Sequence, residues 1–176
     1  IRDAQESRGL GDVYKRQIGE LLTPVLAYEQ YYETADKIGI ELGKALQITN
    51  ILRDVGEDFE NNRIYLSANR LKEYNVDLKA VYEEGVTQNY IDLWESYAKD
   101  ADAMYHNALS HLDYFHEDAR PIIEVAAQAY REILEVVRKK HYSLHQRAYV
   151  SRLKKGQIYR CLLYTSDAAD DTPCVD

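Results

Sequence analysis

The sequence has 176 residues, of which 45% are hydrophobic and 30% charged, with a formal net charge of −8 at pH 7. This length and balance predict one domain with a buried core, and an acidic chain offers no basic surface to the phosphates of a nucleic acid. No apolar run approaches the roughly 20 residues of a membrane span, and no signal peptide opens the sequence, so we expect a cytoplasmic protein.

The two ends of the sequence differ from the rest in an unusual way. When residues 12–17 are back-translated, the reverse complement of their codons, read one base out of frame, encodes CLLYTS. Residues 161–170 begin with that same peptide. The ends are therefore consistent with a single inverted DNA repeat, and both resemble a transposon sequencing adapter translated in frame.

We expect residues 1–17 and 161–176 to be adapter-like and non-native, and residues 18–160 to be a fragment of a natural domain. Both cysteines, Cys161 and Cys174, lie in the second adapter-like segment. The natural fragment then has no thiol that could serve a disulfide, a nucleophile or a zinc site.

Within the fragment, apolar residues recur at the spacing of an α-helix almost throughout. The pattern predicts a short helix within 21–28 and a long helix over about 31–59, followed by an extended connector at 63–66. Two short helices are predicted next, over 67–71 and 77–83, each capped by the serine or aspartate at its first position.

The second half of the fragment continues the helical pattern. A helix is predicted over 87–112, with a break after Phe115. The next helix is predicted over 121–137, because a proline at its first turn suits the start of a helix. A last helix is predicted over 144–158. Since no alternating strand pattern occurs, the predicted fold class is all-α.

The residues that carry chemistry lie in the segment 47–65, QITNILRDVGEDFENNRIY. Asn50, Asp54 and Asp58 follow one another at intervals of four residues. On a helix each step rises about 6 Å and turns about 40°, so the three side chains line one stripe. An acidic stripe repels itself unless a cation lies over it, and oxygen ligands of this kind suit Mg²⁺ bridging to a diphosphate.

The same spacing also occurs on ordinary solvated helix surfaces, and that alternative stays open from the spacing alone. Gly56 interrupts the stripe, at a cost of about 1 kcal/mol in helix propensity relative to alanine. We therefore expect a packing reason, or the close approach of another chain segment, at Gly56.

The segment 50–65 resembles the second aspartate-rich motif of the squalene/phytoene synthase family, N-x-x-R-D-x-x-x-D followed by R-x-Y. The similarity extends from 19–24 (GELLTP) through 90–98 (YIDLWESYA) to 121–130, and so covers essentially the whole fragment. It is closest to the bacterial dehydrosqualene (diapophytoene) synthases of that family.

The resemblance implies an all-α helical bundle of isoprenoid-synthase type, incomplete here because N-terminal helices are missing. In that family two aspartate-rich helices face each other across a cavity and hold Mg²⁺ bound to the substrate diphosphates. The implied reaction is the head-to-head condensation of two farnesyl diphosphates to dehydrosqualene through a cyclopropyl diphosphate intermediate.

The resemblance also implies roles for individual residues. It places the metal ligands at Asn50, Asp54 and Asp58. It gives catalytic roles to Asp54, Asp58 and Tyr65. The implied substrate-binding residues are Gln47, Arg53, Arg63, Tyr130 and Arg147. The implied cofactor is Mg²⁺, and the ligand is a prenyl diphosphate, with farnesyl diphosphate the expected donor.

Three alternatives stay open at this point. A phytoene synthase would use a longer donor, a squalene synthase would add a reduction by NADPH, and a non-catalytic relative would act as a binding or assembly module. Since the first aspartate-rich motif is absent from this sequence, we expect the fragment itself to be inactive. Peripheral membrane contact is compatible with a lipid product, and the oligomeric state is open.

Overall fold

The structure is a computed structural model that describes residues 26–167, with side chains to residue 160. The helices in that range are α1 (Tyr32–Glu60), α2 (Ala68–Glu73), α3 (Leu78–Glu84), α4 (Gln88–Leu109), α5 (Arg120–Lys139) and α6 (Arg152–Asp167), with 3₁₀ turns at Glu29–Tyr31 and Leu112–Tyr114. The all-α prediction is confirmed. Most of the helix predicted within 21–28 lies outside the described residues. Between residues 26 and 167, no helix is long and apolar enough to cross a membrane.

The long helix α1 is the central element, since α4 and α5 both pack along it. Two buried hydrogen bonds join α1 to α4. The Trp94 indole Nε1 donates to the Leu52 carbonyl oxygen at 3.1 Å, and the hydroxyl oxygens of Thr49 and Tyr105 lie 2.8 Å apart. Rotating α1 about its axis would leave the Trp94 N–H and the Tyr105 hydroxyl buried without these partners, which is unfavourable. These two hydrogen bonds therefore fix the rotation of α1 about its axis, and so the direction in which the face away from α4 points.

The structure confirms most of the predicted helix boundaries to within two residues. The Asp77 carboxylate caps α3 by accepting from two backbone N–H groups of that helix, and Thr87 Oγ1 accepts from one at the start of α4. The capping role expected of the serine at 67 is wrong. The Ser67 side chain makes no cap bond, and its backbone N–H donates to the Tyr97 hydroxyl at 3.0 Å.

The last helix differs most from its prediction. The prediction covers 144–158, but α6 begins only at residue 152. Residues 140–151 form an irregular segment, called the strap below. Three apolar side chains of the strap are buried in the core, those of Leu144, Ala148 and Val150. The apolar spacing therefore belongs to a non-helical chain that lies on the core, not to one face of a helix.

Glu95 on α4 binds both α5 and the strap. The Arg138 guanidinium donates to its two carboxylate oxygens at 2.9 and 2.7 Å, and the Tyr142 hydroxyl donates to one of them at 2.7 Å. The hydrogen bonds from Arg138 hold the pKa of Glu95 below its usual range, against the effect of burial. Burial raises the pKa of Tyr142 to about 12. The Tyr142 ring also packs edge-on against Trp94, with centroids 5.2 Å apart.

The lowered pKa of Glu95 makes folding stability depend on pH. Because the folded state favours the carboxylate, this stabilisation is complete above the ordinary value of 4.5 and is lost as the pH falls below it. We expect Glu95→Gln to lower the urea midpoint at neutral pH and to flatten its fall between about pH 5 and pH 3. The exposed variant Glu84→Gln should keep the wild-type slope. An equally steep fall in Glu95→Gln would contradict the assignment.

Candidate functional site

Asn50, Asp54 and Asp58 lie on one stripe of α1, as their spacing predicted, and all three are half-buried. The helix continues through the stripe and ends just after it, where Asn62 adopts the left-handed conformation with φ of 57°. The Arg63 N–H then donates to the Asp58 carbonyl oxygen at 2.8 Å. The connector therefore turns at the end of the stripe and stays close to it.

Two arginines hold Asp54, whose side chain is only 17% exposed. Arg53 Nε and Nη2 donate to the two carboxylate oxygens at 2.8 and 2.5 Å. From the strap, Arg147 Nε approaches Asp54 Oδ1 at 3.1 Å, and its Nη1 lies 2.9 Å from Glu57 Oε2. A largely buried carboxylate needs such partners, because an unpaired buried charge is strongly unfavourable.

Asp58 shows that the stripe favours additional positive charge. Burial raises the pKa of Asp58 and the negative charge of Asp54 raises it further, while Arg63 and Arg147 oppose the rise. The amide and carboxylate oxygens of the stripe are the ligands that a hard divalent cation such as Mg²⁺ prefers, so the residues present fit this metal. In the described part of the chain, no three His, Cys, Asp or Glu side chains come close enough to hold an ion. The roles of Asn50, Asp54 and Asp58 as metal ligands therefore stay predictions.

Asp58, Arg63 and Tyr65 line one shallow pocket near the C-terminal end of α1. The rest of its lining is apolar and consists of Ile51, Val55, Ile64, Leu66 and Leu78. Tyr65 is 43% exposed, so a ligand on the surface beside the pocket can reach it. The structure thus brings together one predicted metal ligand and both residues of the R-x-Y pattern.

Tyr130 and Gln47 lie away from that pocket. Tyr130, on α5, is near Arg53: the hydrogen bonds to Asp54 raise the pKa of Arg53, and Tyr130 adds to the rise. Gln47 lies on α1 about 16 Å from Asp58 along the helix axis, at 1.5 Å per residue. The predicted substrate-binding residues are therefore spread over α1, the connector after it, α5 and the strap, and their roles stay predictions.

The strap crosses α1 at Gly56. A Cβ atom at this position would lie 1.7 Å from the Leu144 carbonyl oxygen, well inside contact distance. The close approach expected at Gly56 is therefore confirmed, and the strap is the segment that approaches. By contrast, Gly39 and Gly43 on the same helix have open space where a Cβ would lie.

The residues alone did not predict that Arg147 would contact the acidic stripe. Asp54 and Arg147 are 93 positions apart in sequence. A helix over 144–158 would also have carried the arginine along a different path from the one the strap follows. The one local signal was Gly56, which indicated a close contact without indicating its partner.

The sequence model of the squalene/phytoene synthase family matches residues 16–154. The chain belongs to this family. It is 53% identical over 146 residues to the 4,4'-diapophytoene synthase of Staphylococcus haemolyticus. The aligned region covers 82% of this chain and 51% of that protein. It is 34% identical over 142 residues to a phytoene synthase of Thermus thermophilus. That aligned region covers 80% of this chain and 48% of the relative. The chain thus spans about half the length of these curated relatives.

Solved structures agree with the assignment to the squalene/phytoene synthase family. The chain superposes on a dehydrosqualene synthase in complex with a ligand with a TM-score of 0.80 and 33% identity, over 91% of this chain and 58% of that one. It superposes on YisP from Bacillus subtilis with a TM-score of 0.75 and 20% identity, over 90% and 63%, which shows a shared fold. The predicted isoprenoid-synthase fold is therefore confirmed.

Gly56→Ala and Gly43→Ala should change stability in opposite directions, although both replace a glycine within α1. Alanine at 43 meets open space and gains up to about 1 kcal/mol of helix propensity. Alanine at 56 must displace the Leu144 carbonyl group, and overpacking of this kind costs about 1–3 kcal/mol. Urea unfolding followed by circular dichroism measures both changes. Equal gains in the two variants would mean that the strap does not lie on Gly56.

Proposed function

We propose that the complete protein from which residues 18–160 derive is a head-to-head prenyl transferase that condenses two farnesyl diphosphates to dehydrosqualene. The observation that carries the proposal is the stripe of Asn50, Asp54 and Asp58 on α1, with guanidinium groups beside it that suit phosphate oxygens. The identity to a 4,4'-diapophytoene synthase supports the choice of product.

In this proposal Asn50, Asp54 and Asp58 would hold Mg²⁺ through their oxygen atoms and so place it beside the substrate diphosphate. When bound, Mg²⁺ supplies positive charge that stabilises the leaving diphosphate. Arg63 and Tyr65, which line the pocket beside Asp58, contact the same diphosphate. Loss of diphosphate leaves an allylic cation, and attack by the double bond of the second donor gives a new carbocation. Loss of a proton, which the released diphosphate can accept, then closes the ring of the cyclopropyl intermediate, which keeps the diphosphate of the second donor.

The helix α1 also offers a wall for an isoprenoid chain. Leu42 and Leu46 are half-buried on α1 near Gly39 and Gly43, and both glycines have open space beside them. Open space at a helix backbone allows a narrow prenyl chain to lie close. Apolar surroundings also exclude water, which would quench the allylic cation.

We propose further that the chain of 176 residues does not itself catalyse the reaction. No three His, Cys, Asp or Glu side chains of its described part come together as a metal site, and the chain matches only about half the length of its relatives. The remaining ligands would come from the rest of the complete protein. Incubation with farnesyl diphosphate and Mg²⁺ should therefore give no hydrocarbon from this chain and a hydrocarbon from the complete protein. Product from the chain alone would contradict this proposal.

The alternative functions differ in donor and in product. A phytoene synthase would use geranylgeranyl diphosphate, an alternative that the identity to the Thermus thermophilus relative supports. A squalene synthase would need NADPH, and a binding or assembly module would form no hydrocarbon from either donor. Mass spectrometry of products from each donor, with and without NADPH, separates these cases. Peripheral membrane contact is compatible with a hydrocarbon product, and the cytoplasmic location stays a prediction.

In the complete protein, Asp54→Ala and Asp58→Ala should each lower hydrocarbon formation from farnesyl diphosphate by about 10²-fold or more, because each removes a ligand that positions charge at the leaving group. The measurement is product formation at saturating Mg²⁺. Asp92→Ala removes an exposed aspartate of α4 and should retain wild-type activity. Unchanged product formation by Asp54→Ala would contradict the catalytic assignment.

A further inference from the structure

The strap is fixed to three helices. Its Leu144 carbonyl group packs on Gly56 of α1, and its Tyr142 hydroxyl donates to the carboxylate of α4 described above. His145 Nε2 lies 3.1 Å from the Tyr82 carbonyl oxygen of α3. These contacts hold the chain just before Arg147 against α1.

Arg147 is the residue that the strap brings to the acidic stripe. Its Nε and Nη2 lie 3.1 and 3.4 Å from the two Asp54 carboxylate oxygens, and its Nη1 lies 2.9 Å from Glu57. The Lys140 ammonium donates to the Arg147 carbonyl oxygen at 2.8 Å, which ties the first residue of the strap to the backbone of Arg147. One side chain thus connects the strap to two carboxylates of α1.

The two arginines at Asp54 are not equivalent. Arg53 precedes Asp54 in the same helix and stays beside it, whereas Arg147 comes from the strap and has 38% of its side chain exposed. Together they direct N–H groups at both carboxylate oxygens. A divalent cation needs the lone pairs of those same oxygens. A cation that binds Asp54 therefore competes with the more exposed and more distant partner, Arg147.

We propose that Arg147 is an exchangeable counter-ion, which neutralises Asp54 and Glu57 in the cation-free protein and is displaced when a divalent cation binds, so that the strap loosens. The inference rests on the cation site of the proposed function. It makes the strap a segment whose order depends on whether the acidic stripe holds a cation. The position of the strap on α1 then depends on cation binding as well as on packing.

Manganese binding to the complete protein tests the exchange, because free Mn²⁺ gives an electron paramagnetic resonance signal that is lost on binding. We expect Arg147→Gln to bind Mn²⁺ about two- to fivefold more tightly than wild type, the effect of removing one partly exposed ion pair. Arg152→Gln removes the same charge from the first turn of α6 and should change the affinity less. Equal shifts in the two variants, or weaker binding by Arg147→Gln, would overturn the proposal.

Hydrogen exchange measured by mass spectrometry follows the strap itself. In wild type, saturating Mg²⁺ should speed the exchange of residues 141–150, whereas Arg147→Gln should exchange fast there with or without Mg²⁺. Slower or unchanged exchange of this segment on Mg²⁺ binding would overturn the proposal. If circular dichroism shows that Arg147→Gln is unfolded, Arg147→Lys replaces it in both measurements. Lysine keeps the charge but loses the two-pronged contact, so it should shift the Mn²⁺ affinity in the same direction.

Asp54→Asn separates this inference from the function on which it rests. If Asp54→Asn binds Mn²⁺ as tightly as wild type, or if neither wild type nor any variant binds it, the cation site is wrong and the exchange with it. If Asp54→Asn abolishes binding while Arg147→Gln behaves like Arg152→Gln, the cation site is supported and only the exchange is overturned.

Discussion

The structure depends on how a long helix accommodates a largely buried carboxylate. Removing a carboxylate from water costs several kcal/mol unless partners replace the lost hydration. The chain supplies two guanidinium groups to Asp54, one from the neighbouring residue and one from a segment 93 positions away. The second group ties the strap to α1, so the shape of the acidic stripe depends on the path of a distant part of the chain.

Two features make that path possible. The helix α1 is held at one rotation by its buried hydrogen bonds to α4, so the stripe and the strap always face each other. Gly56 then removes the side chain that would keep the Leu144 carbonyl group away. Gly56 lowers the local helix propensity, but it permits the contact that neutralises Asp54 two residues earlier.

Local patterns were sufficient for most of the fold and for the stripe itself. Helical periodicity and caps such as Asp77 and Thr87 depend only on nearby residues, and so does the four-residue spacing of the predicted metal ligands. The helix predicted over 144–158 was wrong at the strap, because the four-residue spacing of the buried Leu144 and Ala148 also occurs in a helix. The pairing of Asp54 with Arg147 could not be read from the residues, since it depends on packing between segments that are far apart in sequence.

The position of Trp94 has a practical consequence. It is the single tryptophan of the chain, and it lies where α1, α4 and the strap meet, with Tyr142 at its edge and the Arg138 guanidinium 5.4 Å from the ring centre. Indole emission moves to longer wavelength when water gains access to the ring. The chain therefore contains its own fluorophore at the junction, and the colour of its emission distinguishes a docked strap from a detached one without any label.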